Sequence, residues 1–116
     1  MSDGNVVTTT ADLSGWIRRL LRGEAGVIAT QVAQMCECVA TGNSPVSYGL
    51  GLECHPAAFG HGHSGGNPGY LTVARHDRDA NVTVVLFTTL AEYDNFPAAT
   101  DWHYETVTKL RAAAGD

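Results

Sequence analysis

Tyr70-Leu-Thr-Val-Ala-Arg-His76-Asp77-Arg-Asp-Ala-Asn81-Val82-Thr-Val-Val-Leu-Phe-Thr88 is the stretch on which the fold turns. Its two strand-like runs, 70–76 and 82–88, are joined by a short polar segment, so they are expected to be antiparallel neighbours in a hairpin. The second run is almost continuously apolar, which suits a strand buried on both faces. Charge in the Asp77-Arg78-Asp79 turn is expected to be solvated.

Upstream, 46–54 and 59–63 read as further short strands. They follow the turn-forming Thr41-Gly-Asn-Ser-Pro45, which ends a helical segment over 9–41. Within that segment Thr9-Thr10-Ala11-Asp12 resembles a capped helix start. Leu13, Trp16, Ile17, Leu20 and Leu21 then recur at helical spacing until Gly23, predicting a helix over 11–22. A weaker periodicity in Ile28, Val32 and Met35 predicts a second helix over 28–38. Pro97 opens a last helix, 97–114, with Trp102, Val107 and Leu110 available to pack on the sheet. Residues 1–8 read as a flexible start. The expectation is one α+β domain over 1–116: an antiparallel sheet of three to four strands within 46–90, with N-terminal helices and a C-terminal helix packed on it.

Composition narrows the function. Hydrophobic residues make up 44 % and charged residues 16 %, a globular balance and not a disordered one. Seven basic against twelve acidic residues leave a net charge of -5 with no basic stripe, which argues against nucleic acid. No apolar stretch is long enough to span a bilayer and no secretory leader is recognisable, so a soluble, cytoplasmic protein is expected. Cys36, Cys38 and Cys54 are an odd number, and Cys36-x-Cys38 would bridge only with strain, so reduced, mostly buried thiols are expected.

Three segments in order, Tyr48-Gly-Leu-Gly-Leu-Glu53, Gly60-His-Gly-His-Ser-Gly-Gly-Asn-Pro-Gly-Tyr70 and Val82-Thr-Val-Val-Leu-Phe-Thr-Thr89, resemble the closing, active-site-strand region of the β-lactamase-like serine hydrolases, which include D-alanyl-D-alanine carboxypeptidases and esterases. His63-Ser64-Gly65 and Gly69-Tyr70 match the spacing of that family's third motif. The helical residues 10–23 and Gln34-Met35 are similar to what precedes that motif in family members. The resemblance implies a ligand-facing strand, with His61, His63, Ser64, Gly65 and Tyr70 as candidate binding residues. A nucleophile is not implied: Ser-x-x-Lys and Tyr-x-Asn are absent, and Lys109 is preceded at that spacing by Thr106. Serine without an activating neighbour is a poor nucleophile. The residues therefore read as a stand-alone, non-catalytic fragment of that architecture, with no cofactor, that binds a small molecule or a partner.

Two alternatives use the same residues. One is a hydrolase with Ser64 as nucleophile and His61 or His63 as base, or with a site assembled across subunits. Gly62-His-Ser-Gly-Gly66 also fits a nucleophile elbow, with His76 or His103 and Asp94 or Asp101 as partners, but that motif needs a helix where a β-type run follows. The other is a metal-binding protein using His61 and His63, which alternate on one strand face, with a cysteine or His55. The spacing lacks the tight pairing of a zinc site, and no metal ligand is assigned from it. Tyr70, Phe87, Trp16 and Trp102 are expected in the core. In the family, two further strands continue the sheet beyond the strand matched by 82–88. Here that strand would be an edge, so a homodimer or a partner chain is expected through it.

Overall fold

The computed structural model describes residues 4–55, 59–89 and 96–114, with backbone alone over 96–100. Residues 1–3 of the expected flexible start and residue 90 of the expected strand region lie outside these. Among the described residues the elements are α1 (Thr10–Leu21), α2 (Ala29–Met35), β1 (Val39–Ala40), β2 (Ser47–Tyr48), β3 (Glu53–Cys54), β4 (His61–Asn67), β5 (Tyr70–Asp77), β6 (Val82–Thr88) and α3 (Phe96–Ala114). The α+β class is as expected, but the antiparallel sheet has six strands in the order β1 to β6, not three to four.

One extra strand comes from 46–54, which reads as one strand and is two; the other, β1, lies at 39–40 in the segment 9–41 expected to be helical. Tyr48-Gly-Leu-Gly-Leu52 imitates a period of two, yet Gly51 takes a φ of 75° that a strand residue does not adopt. The chain turns there, the Gly49 amide donates to the Leu52 carbonyl at 2.8 Å, and Tyr48 comes to face Glu53 across a hairpin. A side chain at Gly49 would collide with the Met35 carbonyl, so the hairpin also lies directly against the end of α2. β1 then adds to β2 through Val39↔Tyr48 and Ala40↔Ser47.

β4 runs past the expected end at residue 63 to Asn67. The two-residue loop Pro68-Gly69 returns the chain, Pro68 setting the first turn position and Gly69 supplying a φ of 83°. The hairpin between β5 and β6 is as expected, closed by Asp77, whose Oδ1 accepts from the amides of Asp79 and Ala80. Asp77 is not simply solvated: its other oxygen accepts from Arg111 of α3 at 3.1 Å.

Strand alternation gives the sheet two faces. Val73, Val82, Val84 and Leu86 lie on one and pack with Tyr104 and Val107 of α3. Ala74 and His76 lie on the other, toward α1, which contacts both β5 and β6. Thr9 caps α1, its hydroxyl accepting from the Asp12 amide, and Ile17, Leu20 and Leu21 form a second cluster with Val32 and Leu52. Trp16 and Trp102 are each 53 % exposed, and Tyr70 is 62 % exposed, against the expectation of core aromatics. Phe87 is also partly exposed, and Leu110 does not pack inward either. Helical period explains α3: Tyr104, Val107 and Arg111, at i, i+3 and i+7, face the sheet and leave Trp102 and Leu110 on its flanks.

The cysteines also depart from expectation. Cys38 and Cys54 form a disulfide with Cα atoms 6.3 Å apart, and Cys36 is free. Pairing of β1, β2 and β3 brings together residues 16 apart in sequence, a proximity that the Cys36-x-Cys38 spacing does not reveal.

Close approach of β5 to β4 sets a test of this register. A Cβ at Gly62 would collide with the Ala74 carbonyl and stand 2.8 Å from the Arg75 Cα. Gly62→Ala is expected to cost about 1–3 kcal/mol, or somewhat more, read as a lowered urea midpoint. An unchanged midpoint would show the strands to be paired differently.

Candidate functional site

β3 is only two residues long, and its residues point to opposite sides. Glu53 enters the α3 face of the sheet and Cys54 the other side, so two groups of polar side chains form around this one strand.

The first group centres on Glu53, which is 8 % exposed. One carboxylate oxygen accepts from the Ser64 hydroxyl at 2.8 Å. The other accepts from the Ser64 amide at 3.2 Å and the Tyr104 hydroxyl at 2.5 Å. Arg75 stands alongside, fully buried, with Nη1 3.7 Å from Glu53 Oε2. Its guanidinium also donates to the carbonyls of Phe59 (2.9 Å), Gly60 (3.0 Å) and Glu53 (3.1 Å), so it ties the two ends of the β3–β4 connection together.

Burial pushes the Glu53 pKa up, but the Tyr104 and Ser64 hydrogen bonds and the nearby His63 outweigh it and hold the carboxyl below its ordinary value. Tyr104 moves the opposite way, to about 12, first through burial and then because its proton is shared with Glu53. At neutral pH the pair is therefore a carboxylate held by a protonated phenol.

His63 sits at the rim, exposed, with Nδ1 3.6 Å from Glu53 Oε1. Nδ1 also meets the Ser64 carbonyl, and Nε2 lies 2.7 Å from the Tyr48 hydroxyl. A carbonyl only accepts, so Nδ1 donates to it, while Nε2 and the Tyr48 hydroxyl bond each other. Both ring nitrogens are thereby engaged, and neither bonds the Ser64 hydroxyl.

β3 pairs with β4 through Gly62 alone, so from His63 to Asn67 the outer edge of β4 has no strand partner among the described residues. Ser64 presents its amide and carbonyl to this edge, where Glu53 and His63 meet them. By alternation Gly66 presents its own amide and carbonyl two residues further on.

The second group lies on the Cys54 side. His61 is half-buried beside the disulfide, a ring nitrogen within 4.8 Å of both sulfurs. An open depression of about 420 Å³ is lined by Pro45, Ser47, Cys54, His55, Gly60 and His61. His55 stacks on Tyr104 with ring centroids 4.0 Å apart. Burial lowers the pKa values of both His55 and His61, favouring neutral imidazoles.

The five residues singled out by sequence are thus divided. His63, Ser64 and Gly65 stay together, Ser64 joined to Glu53 and Gly65 open at the strand edge. His61 belongs with the cysteines. Tyr70 pairs with Asn67 at the hairpin end, four positions beyond His63, or about 13 Å along the strand. His76 and His103 are buried elsewhere, bonded to Thr83 and Thr88, and Asp94 lies outside the described residues. Gly62 to Gly66 continues as strand, so the nucleophile elbow is excluded.

Sequence reading missed Glu53, Arg75, Tyr48 and Tyr104. Arg75 had a signal: it continues the parity of Leu71 and Val73, which places a cation on the core face of an apolar strand and calls for a buried anion. The chain matches no protein-family model and no curated protein.

The Glu53 cluster makes a pH-dependent contribution to stability. A depressed carboxyl pKa stabilises the fold above the unfolded-state value, and the gain is lost as pH falls through the folded-state value. Tyr104→Phe is expected to cost about 1.5–3 kcal/mol at neutral pH, the worth of a hydrogen bond to a charged group. The deficit should narrow in acid once Glu53 is protonated. Urea unfolding of both proteins at the two pH values decides it, and a pH-independent deficit would mean that Tyr104 acts through packing alone.

Proposed function

We propose that these residues form a non-acylating, ligand-holding module resembling the closing region of the β-lactamase-like serine hydrolases. The observation that carries this reading is the state of Ser64. Its hydroxyl proton is directed at Glu53, a carboxylate with a depressed pKa, whereas an effective general base titrates near the working pH. The neighbouring imidazole is engaged at both nitrogens and bonds the Ser64 carbonyl, not its hydroxyl. The serine is oriented and stabilised as a neutral hydroxyl.

Such a site suits recognition. The outer edge of β4 offers the Gly66 amide and carbonyl to an extended ligand, in the manner of strand addition. His63 and Tyr48 lie beside that edge, where their rings can pack against such a ligand. Gly65 and Gly66 leave room for a ligand to approach the backbone. The competing hydrolase reading assigns Ser64 an acyl intermediate. After incubation with a fluorophosphonate or a β-lactam, the intact mass is expected to be unchanged. An adduct on Ser64 that Ser64→Ala abolishes would replace recognition with catalysis.

A second chain completes this proposal. β6 ends the sheet order, and over its seven residues it pairs with β5 on one side only among the described residues. A strand of that length and apolarity at an edge is a template for pairing. A second copy related by a two-fold axis would bring β6 against β6 antiparallel, an isologous contact that closes. Light scattering at micromolar concentration is expected to give twice the 12.3 kDa chain mass; a monomer would remove the dimer from the proposal.

A further inference from the structure

Three side chains from separate elements converge on the Cys54 side of β3. Cys38 immediately precedes β1, Cys54 ends β3 and His61 opens β4. The two sulfurs and a ring nitrogen of His61 all lie within 4.8 Å of one another, and all three residues are half-buried.

We propose that, when the Cys38–Cys54 disulfide is reduced, the Cys38 and Cys54 thiolates and His61 hold one zinc ion whose fourth position opens toward the depression lined by Ser47 and His55. Two equivalents of a small thiol reduce the bond: one external disulfide forms, and Cys38 and Cys54 each gain a proton. Zinc then displaces those two protons, while the neutral imidazole gives up none. Two thiolates balance the charge of the ion, so the occupied site is neutral.

Distances are compatible with this. Tetrahedral zinc with Zn–S of about 2.3 Å and Zn–N of about 2.05 Å sets sulfurs about 3.8 Å apart and sulfur to nitrogen about 3.6 Å. Both lie under the 4.8 Å within which the three atoms fall, and with Cα atoms 6.3 Å apart the sulfurs, bonded in the disulfide, can part by side-chain rotation once reduced. Thiolate and imidazole select zinc over magnesium or calcium, which prefer oxygen donors. Three protein ligands with one open position is the pattern of zinc that binds an exogenous ligand, unlike a closed structural site. Disulfide and zinc site are alternative states of one pair, so the compartment's thiol poise decides which is populated. His63 is not a ligand here, because both of its nitrogens serve the Glu53 cluster.

Cobalt(II) is the probe, since it reports thiolate ligation and tetrahedral geometry optically. The full chain is reduced with a phosphine, desalted without air and titrated. One equivalent is expected to bind, with a thiolate-to-cobalt charge-transfer band and intense visible bands that zinc abolishes. The oxidised chain should show neither. His61→Gln should weaken binding about tenfold or more, and Cys36→Ser should bind as the parent does. No bands in the reduced parent, unchanged affinity in His61→Gln, or loss in Cys36→Ser would each overturn the proposal. Circular dichroism accompanies each titration. If reduction unfolds the parent chain, refolding on cobalt addition supports the site and failure to refold overturns it.

Discussion

The buried Arg75 guanidinium is the constraint from which the rest of the structure follows. An isolated cation on the inner face of a sheet costs several kcal/mol unless anion and carbonyl partners surround it. Arg75 recruits three carbonyls and the Glu53 carboxylate. Those partners belong to β3 and to the residues just before β4, so satisfying Arg75 fixes where that connection runs. Glu53 in turn needs donors for its remaining lone pairs, and Ser64 and Tyr104 supply them from β4 and α3. One charge on β5 therefore sets the approach of β3, the orientation of Ser64 and the docking of the C-terminal helix.

This dependence changes the meaning of Ser64. Read along the strand, His63-Ser64-Gly65 would, on the proposed likeness, line a ligand site. Read across the sheet, the serine is part of the neutralisation of Arg75. Its amide and hydroxyl are two of the three hydrogen-bond donors to Glu53, and turning the hydroxyl toward a substrate would leave a buried carboxylate short of a partner. The cost of that, about 1–3 kcal/mol or more for a charged group, opposes the movement an attacking nucleophile would need. Structural duty and nucleophilic duty would compete for the same proton, which is bonded to Glu53 here.

How much of this was legible follows from the range of the interactions involved. Local patterns reported α1, the β5–β6 hairpin and α3 within a residue or two, because capping, turn chemistry and periodicity are properties of neighbours. The β2–β3 hairpin was hidden because alternating glycine and leucine satisfies a strand period, whereas the turn depends on the positive φ of Gly51. The disulfide was hidden because strand pairing, not spacing, brings Cys38 to Cys54. Ser64 and His63 were visible as residue types, but Glu53, 11 residues from Ser64, and Tyr104, 51 residues from Glu53, enter the site only through tertiary contacts. Arg75 alone carried a readable signal, in its parity with Leu71 and Val73.

The two polar groups are not independent, because β3 is two residues long and carries an anchor of each. Glu53 and Cys54 are consecutive, and a strand cannot translate one without the other. The disulfide ties Cys54 to the segment that follows α2, while Glu53 is held by donors from β4, β5 and α3. Ladder pairing of β3 with β4 amounts to Glu53↔Gly62 alone, so on the β4 side the Glu53 side-chain bonds do most of the positioning. Opening the disulfide removes the covalent anchor and leaves the pairing with β2 and the Glu53 contacts to hold the strand. Placing an ion between the same sulfurs and His61 restores an anchor and moves it onto β4, next to the edge that carries His63 and Ser64. The cysteine pair is thus connected to the Ser64 edge of β4 through the single peptide unit between Glu53 and Cys54.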